Sequence, residues 1–357
     1  MIDRRRFLAG AGALPLAAAF GASGLGKAFA VESGTPAGAG WRSFEISTTV
    51  DLAAVEGPAQ VWLPLAGSDD AYQIASAPRW SGADGAARIV ADPASGARML
   101  HARVGEGDNR TLTLVQTVAT RDRTAATGST ASEAELARAL APSASVPTDG
   151  LVRETANRIV AGIEAPAERA RAIYEWMVEN TWRDASVRGC GTGDVLAMLE
   201  SGQLGGKCAD LSSLFVALAR AAGLPAREVF GLRVADSRDF ASIGRSGDVT
   251  KAQHCRAEVY LDGQGWLPVD PADVRKVVLE EKLPLADAAV QRFRERSFGN
   301  WEMNWIGFNT ARDLRLPEGG PAQGFLMYPA ALTAQGTLDC LDPANFRYAI
   351  ASRPISA

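Results

Sequence analysis

The spacing of apolar and polar positions changes twice along the chain. From about residue 41 to 120, apolar residues alternate with polar ones, which is typical of half-buried β-strands. From 149 to 222 they recur every three or four residues, which predicts helices, and alternation returns from 226 to 269. The order of strands, helices and strands predicts an α+β fold.

The first alternating region, 31–123, is predicted to form a small β-sandwich-like domain, because clusters of Gly, Pro, Asp and Ser separate its short strands. The stretch 124–148 is rich in Ala, Ser, Thr and Pro and is interpreted as a connector. It holds one predicted short helix, with Ser132 and Glu135 spaced as a capping box. The first domain is therefore expected to end near 123.

Three helices are predicted after the connector, each from a start or stop signal. Asp149 is placed to cap the first, Pro166 to open the second, and Asp194 to cap a third that ends at Gly202. These helices are followed by a glycine pair, Gly205-Gly206.

A cysteine stands at the start of the most apolar helix of the chain. Gly205, Gly206 and Lys207 deliver Cys208 to the first turn of a run whose apolar stripe continues to Ala222. Unpaired amide groups and the positive end of the helix dipole favour a thiolate at such a position. Cys208 is therefore a candidate nucleophile, and the alternative is a buried structural cysteine.

The strands that follow supply two partners. His254 and Arg256 share one face of a strand, whereas Cys255 lies on the other and is predicted to point away from the group that His254 addresses. A hairpin turn at 262–265 leads to a second strand that Asp270 closes, so antiparallel pairing brings Asp270 near His254. A thiol, an imidazole and a carboxylate form the set that nucleophilic catalysis by cysteine uses.

At these residues the chain resembles the bacterial transglutaminase-like superfamily. The resemblance rests on Gly206-Lys207-Cys208-Ala209-Asp210 with its helix and on His254 through Asp270-Pro271, and it covers about 173–276. It implies a papain-related α+β catalytic domain, 149–281, with the cysteine helix packed on an antiparallel sheet. It further implies Cys208 as nucleophile, His254 as general base and acid, and Asp270 as the residue that orients the histidine.

The resemblance also frames the remaining candidates. The backbone N–H of Cys208 is a natural oxyanion donor, and Gln203, ahead of Trp182, is predicted to supply a second. Arg256 stands where many members of the superfamily carry a large apolar residue, and it is predicted to bind a substrate carboxylate or to pair with Glu258. The region 282–357 is predicted to pack on the catalytic domain as a C-terminal extension.

The first thirty residues are predicted to be a removable export signal. Residues 3–8 hold an arginine run followed by Phe-Leu, an Ala/Gly/Leu stretch comes next, and Ala28-Phe29-Ala30 is an A-x-A cleavage site. The arginine pair resembles a twin-arginine signal, so the mature protein is expected in the periplasm or secreted. The stretch is too weakly apolar for a stable membrane span, and an uncleaved anchor is the alternative.

Charge and cysteine spacing exclude two classes of protein. The chain has a formal net charge of −4, and the signal holds four basic residues and one acidic residue, so the mature chain carries −7. Without a basic stripe it is not predicted to bind nucleic acid. No C-x-x-C or close histidine pair predicts a metal site, and no cofactor is predicted.

Three functions follow from these observations. The first is a cysteine hydrolase or acyltransferase that acts on an amide or peptide bond of a peptide or protein substrate through a thioester at Cys208. The second is a non-catalytic peptide- or envelope-binding module that keeps the fold, and the third is a thiol redox protein. A disulfide among Cys190, Cys255 and Cys340 is open, because the sequence does not select a pair.

Overall fold

The computed structural model describes residues 40–69, 71–83, 86–107, 109–124 and 131–355. The predicted export signal, 1–30, lies outside these ranges, as does 125–130 of the predicted connector. The helices are α1 Glu133–Leu140, α2 Gly150–Ile159, α3 Pro166–Asn180, α4 Val195–Ser201, α5 Cys208–Ala221, α6 Pro271–Glu280 and α7 Ala288–Arg296. The strands are β1 Arg42–Asp51, β2 Ala59–Pro64, β3 Gln73–Ala75, β4 Arg79–Ser81, β5 Ala87–Ala91, β6 Arg98–Val104, β7 Thr111–Thr120, β8 Arg123–Thr124, β9 Trp182–Arg183, β10 Gly205–Gly206, β11 Ala226–Arg233, β12 Gly247–Asp248, β13 Gln253–Leu261, β14 Gly265–Val269, β15 Asn300–Trp301, β16 Trp305–Asn309, β17 Arg312–Arg315, β18 Ala322–Phe325, β19 Ala330–Thr333, β20 Gly336–Leu338 and β21 Arg347–Ile355.

Two antiparallel sheets make up the strand-rich region. One has the order β12-β21-β1-β7-β3, with β4 also paired to β7, and the other has the order β20-β19-β2-β6-β5. Alternating residues of both sheets, among them Val50 and Leu112 from one and Leu63 and Leu100 from the other, share a buried core. Burying one face of each sheet against the other is what the two-residue period in the sequence requires.

The last part of the chain supplies strands to both halves of the protein. β21 pairs with β1 along its length, from Ser43 opposite Ile355 to Asp51 opposite Arg347, and β19 pairs with β2. Only β16 joins the sheet beside α5, where it pairs with β11. The predicted domain boundaries stay predictions, but the stretch 282–357 is not confined to the catalytic domain.

The predicted α+β fold class is confirmed by a four-stranded antiparallel sheet of order β14-β13-β11-β16, with α5 packed against β13 and β11. Almost every residue of α5 is buried, because α2, α3 and α6 cover the sides that the sheet leaves open. A helix that is apolar nearly all round is stable only in such a place. Cys208 is thereby fixed at the inner end of the most enclosed helix.

Local signals in the sequence set the helix ends. Ser132 accepts a hydrogen bond from the backbone N–H of Glu135 at 3.2 Å before α1, and Asp194 accepts one from Ala197 at 3.1 Å before α4. Gly202 ends α4 with φ +67°, a conformation that favours glycine. Within the described ranges, none of the helices combines the length and the apolar character needed to cross a bilayer.

Candidate active site

The carboxylate of Asp210 fixes the loop that presents Cys208. It accepts hydrogen bonds from the backbone N–H groups of Lys207 at 2.9 Å, Thr192 at 3.0 Å and Gly193 at 2.9 Å. Gly191 has φ +87°, and a Cβ there would stand 1.9 Å from an oxygen of this carboxylate, so only glycine fits. Asp210 therefore ties the segment before α4 to the start of α5 and holds Cys208 in place.

Two further thiols surround the Cys208 sulfur. The neighbouring thiols of Cys190 and Cys255, followed by the imidazole and charge of His254, lower the pKa of Cys208 well below its usual value although burial opposes them. The nearby Cys208 and burial raise the pKa of Cys190 well above its usual value, and burial with the nearby Cys208 does the same for Cys255. All four cysteines of the chain are free thiols. The site thus holds one thiol that ionises readily and two that stay protonated beside it, and the Cys190 thiol donates to the backbone oxygen of Gln253 at 3.4 Å.

The imidazole beside Cys208 is held by a carboxylate. His254 lies at the start of β13, and its Nε2 is 2.9 Å from Oδ2 of Asp270, the residue that caps α6. This contact leaves Nδ1 as the ring nitrogen for Cys208. The indole of Trp305 donates to the backbone oxygen of His254 at 2.8 Å and fixes the strand below the ring.

A second layer of charges encloses this pair. Asp273 Oδ1 lies 3.5 Å from His254 Nε2 and also binds the guanidinium of Arg233, while Arg256 Nε lies 3.2 Å from Asp270 Oδ2. Like Cys208, these five side chains are almost fully buried. When Cys208 and His254 are both charged, the six groups carry three positive and three negative charges, so proton transfer from sulfur to imidazole leaves the net charge unchanged.

The pKa values in this layer follow from the same contacts. Burial and Arg233 disfavour protonation of His254, but Asp273 and Asp270 outweigh them and raise its pKa. Burial also acts on Asp273, but Arg233, His254 and Arg256 lower its pKa far below its usual value. A raised imidazole pKa beside a lowered thiol pKa favours a thiolate-imidazolium pair at neutral pH.

A cleft of about 670 Å³ opens over the Cys208 sulfur. Cys208, His254, Cys190 and Gln253 line it, together with the loop 241–252 and a C-terminal segment at 340–348. The cleft is large enough for several residues of a peptide. The Cys208 thiol and the His254 imidazole therefore both border an accessible cleft.

Comparison with known proteins agrees with this geometry. The sequence model of the family described as the transglutaminase-like superfamily matches residues 153–271. An uncharacterized protein of Haemophilus influenzae is 36% identical over 339 residues, which cover 87% of this chain and 91% of that protein. The chain belongs to the transglutaminase-like superfamily.

One solved structure shows the same fold over most of the chain. A candidate cysteine protease from Cytophaga hutchinsonii matches with a TM-score of 0.50 and 15% identity, over 88% of this chain and 98% of that one. The periplasmic domain of TgpA from Pseudomonas aeruginosa matches with a TM-score of 0.36 and 16% identity, over 70% of this chain and 92% of that one. The first likeness supports a transglutaminase-like fold across most of the chain, and the second adds nothing to it.

The structure places the two predicted oxyanion partners differently. Trp182 in β9 pairs with Gly205. Its indole packs directly on this glycine, because a Cβ added at Gly205 would lie only 2.2 Å from the indole nitrogen. Gln203 is exposed at the turn after α4, where its backbone N–H donates to the Ser201 hydroxyl. Trp182 contacts the loop that precedes Cys208, but neither Trp182 nor Gln203 is among the residues that line the cleft, and the donor role of each stays a prediction.

Arg256 does not have the environment that was predicted for a substrate-binding residue. It is buried behind Asp270, with its guanidinium over the rings of Trp305 and Trp301 at 4.9 and 5.6 Å. Nor does it pair with Glu258, which binds Arg123 and Arg227 instead. Arg256 forms an ion pair with the Asp270 carboxylate, which in turn contacts His254, and it does not line the cleft.

Cys255 and His254 follow each other on β13 but have different surroundings. Cys255 belongs to the buried apolar core around α5 and is not among the residues that line the cleft, whereas His254 is. That Cys255 points away from the group that His254 addresses stays a prediction.

Arg233 and Asp273 were not predicted from the sequence as site residues. The available signal was the spacing of Asp270 and Asp273, because two carboxylates three residues apart at a helix start lie on one side. Together with His254 these carboxylates place three possible metal-ligand atoms within 4.8 Å. The guanidinium groups of Arg233 and Arg256 already bind both carboxylates, so this donor set fits a cation poorly.

Proposed function

We propose that the protein is a cysteine enzyme that breaks an amide or peptide bond through a thioester at Cys208. The observation that supports this most directly is the arrangement at the cleft floor. A thiol with a lowered pKa and an imidazole line the same cleft, and the imidazole is held 2.9 Å from a carboxylate. This is the arrangement that nucleophilic catalysis by cysteine requires.

The chemistry follows from the roles of the three groups. The Cys208 thiolate attacks the carbonyl carbon, the C–N bond breaks, and the His254 imidazolium gives its proton to the departing amine. Water or an amine then attacks the thioester, His254 takes a proton from it, and the Cys208 thiolate leaves. The backbone N–H of Cys208 is at the first position of α5, where it has no acceptor within the helix, and it is available for the oxyanion.

Alkylation across pH tests this proposal. Iodoacetamide is expected to label Cys208 with a midpoint below the free-cysteine value of about 8.5. His254→Ala is expected to move the midpoint upward, because the thiolate then loses both a hydrogen bond and a positive charge. His101→Ala, which removes the other histidine of the chain from the strand-rich region, is the matched control.

Peptide mapping by mass spectrometry reads the label at each cysteine. If the pH midpoint of Cys208 labelling equals the free-cysteine value and His254→Ala does not change it, the proposed enzyme function is contradicted and the non-catalytic binding module is supported. Recovery of Cys208 in a disulfide with Cys190 or Cys255 would support the thiol redox function.

We also propose that the protein is exported through its first thirty residues. The support is the arginine run, the apolar stretch and the A-x-A site. The mature protein from a periplasmic fraction is expected to begin at Val31, and replacing Arg5 and Arg6 by lysine is expected to keep the full-length chain in the cytoplasm. Fractionation with N-terminal sequencing checks both results, and an intact N-terminus on exported protein would contradict the cleavage.

A further inference from the structure

The cleft has a charge opposite to that of the protein. The chain has 37 basic and 41 acidic residues, yet the cleft lining has a single acidic side chain, that of Glu280, in the described part of the chain. The basic residues that line it are Arg183, Arg188, Lys207, Arg233, Arg245, Lys251 and Lys276. A recess lined by one sign of charge concentrates ligands of the other sign.

Four of these basic groups are already paired. Arg183 and Lys276 share Glu280 at 3.3 and 3.7 Å. Arg188 binds Asp339 at 2.7 Å, and Arg233 binds Asp273. Such groups shape the wall of the cleft, but their charge is largely balanced.

The other three are placed to meet a ligand. Within the described ranges, Lys207, Arg245 and Lys251 have no carboxylate within 4.0 Å. Lys207 directly precedes the nucleophile, whereas Arg245 and Lys251 lie on the loop that forms the rim. The acidic residue between them, Asp248, accepts the backbone N–H of Thr250 at 3.0 Å, and Arg245 bonds only its backbone oxygen.

An uncharged donor faces the same space. Gln253 lines the cleft with an exposed fraction of 8%, and its Nε2 has no hydrogen-bond partner among the described residues. A buried amide N–H without an acceptor is unfavourable. An oxygen of a bound ligand would satisfy it, so the cleft offers donors and cations to an oxygen-rich anion.

From these contacts we infer that the acyl donor of Cys208 is a peptide with carboxylate groups near the scissile amide, one next to Lys207 and one at Arg245 and Lys251. This inference rests on the proposed function and specifies its substrate class. A neutral or basic peptide would leave the three cations unmatched. An acidic peptide would supply an acceptor for each.

A pair of small alkylating agents tests the charge of the cleft apart from turnover. Iodoacetate and iodoacetamide both convert the Cys208 thiolate to a thioether and release iodide, but only iodoacetate is an anion. The ratio of their labelling rates, divided by the same ratio for N-acetylcysteine amide, is expected to exceed unity by about tenfold at low salt. It should fall toward unity as salt screens the cations.

Single substitutions show which cations cause the preference of Cys208 for iodoacetate. Lys251→Gln, Arg245→Gln and Lys207→Gln are each expected to lower the normalised ratio by about two- to fivefold, because each removes one positive charge from the cleft. Arg79→Gln is the matched control, because Arg79 is an exposed arginine on β4, outside the cleft lining. A wild-type ratio at or below unity, or an equal loss in Arg79→Gln, would overturn the inference.

Peptide donors then test the substrate class. Matched peptides with Glu or Gln around a central amide are expected to differ by at least about tenfold in the rate of thioester formation at Cys208, with Glu preferred. If phosphoserine peptides react and their Glu counterparts do not, the ligand class is phosphate and the inference is wrong. If iodoacetamide labels Cys208 normally but no charge preference exists, the inference fails and the proposed function stands; if iodoacetamide behaves as with a free thiol, the proposed function itself fails.

Discussion

His254→Ala is expected to slow acylation of Cys208 by about 10²–10⁴-fold, because the imidazole is the group positioned to accept and return the proton. p-Nitrophenyl acetate is a suitable acyl donor, since each turnover releases coloured nitrophenol and leaves an acetyl group on sulfur. Stopped-flow absorbance gives the rate, and intact mass shows the acetyl-enzyme.

His101→Ala is again the control that keeps the chemistry in place. His101 lies on β6 and contacts Gln60 Oε1 at 3.0 Å, so its loss affects the strand-rich region alone. Cys208→Ala is expected to abolish the rapid initial release of nitrophenol and to give the background rate of ester hydrolysis. Equal rates for His254→Ala and wild type would contradict the role assigned to the imidazole.

Arg233→Met is expected to destabilise the fold by about 3–5 kcal/mol, because it leaves the ionised Asp273 buried without its strongest partner. Urea unfolding followed by fluorescence measures this change. The double variant Arg233→Met with Asp273→Leu is expected to recover most of the loss, since neither charge then remains in the interior. Arg238→Met, which breaks an exposed pair with Asp122, should change stability by less than about 1 kcal/mol.

The same pair predicts a pH dependence with a definite sign. The pKa of Asp273 is lowered in the folded protein, so its stabilisation is complete above the unfolded value of about 3.9 and is lost as the pH falls below it. The double variant should lose this part of the acid sensitivity. An equal loss of stability for Arg233→Met and Arg238→Met would show that the buried pair has no special weight.

Short-range signals in the sequence were enough to predict most helices and strands and to select Cys208, His254 and Asp270 as candidate site residues. The caps at Ser132 and Asp194, the helix at Cys208 and the hairpin between His254 and Asp270 depend on neighbours within about twenty residues. The hairpin matters most, because its register sets Val269 opposite Ala257 and so brings Asp270, the cap of α6, to the start of β13, where His254 lies. Cys208 needed only the helix start to be singled out.

Contacts between distant segments were beyond reach. Nothing near Cys190 indicates that Asp210 draws its loop against α5, and nothing near Arg233 indicates an aspartate forty residues later. Arg256 was misjudged for the same reason, since its partners Trp301 and Trp305 arrive from the C-terminal region. Side-chain pairing in a core depends on which elements meet, and local pattern does not record that.

The pairing of β1 with β21 also has a consequence for how the protein is made. The first strand of the described chain pairs with β7 on one side and with β21 on the other, so β1 keeps one open edge until β21 has been synthesised. Contacts of such sequence separation slow folding, and an unpaired edge invites association with other chains. We therefore expect the pairing of β21 with β1 to be a late step of folding. Removing β21 is then expected to destabilise the sheet around β1.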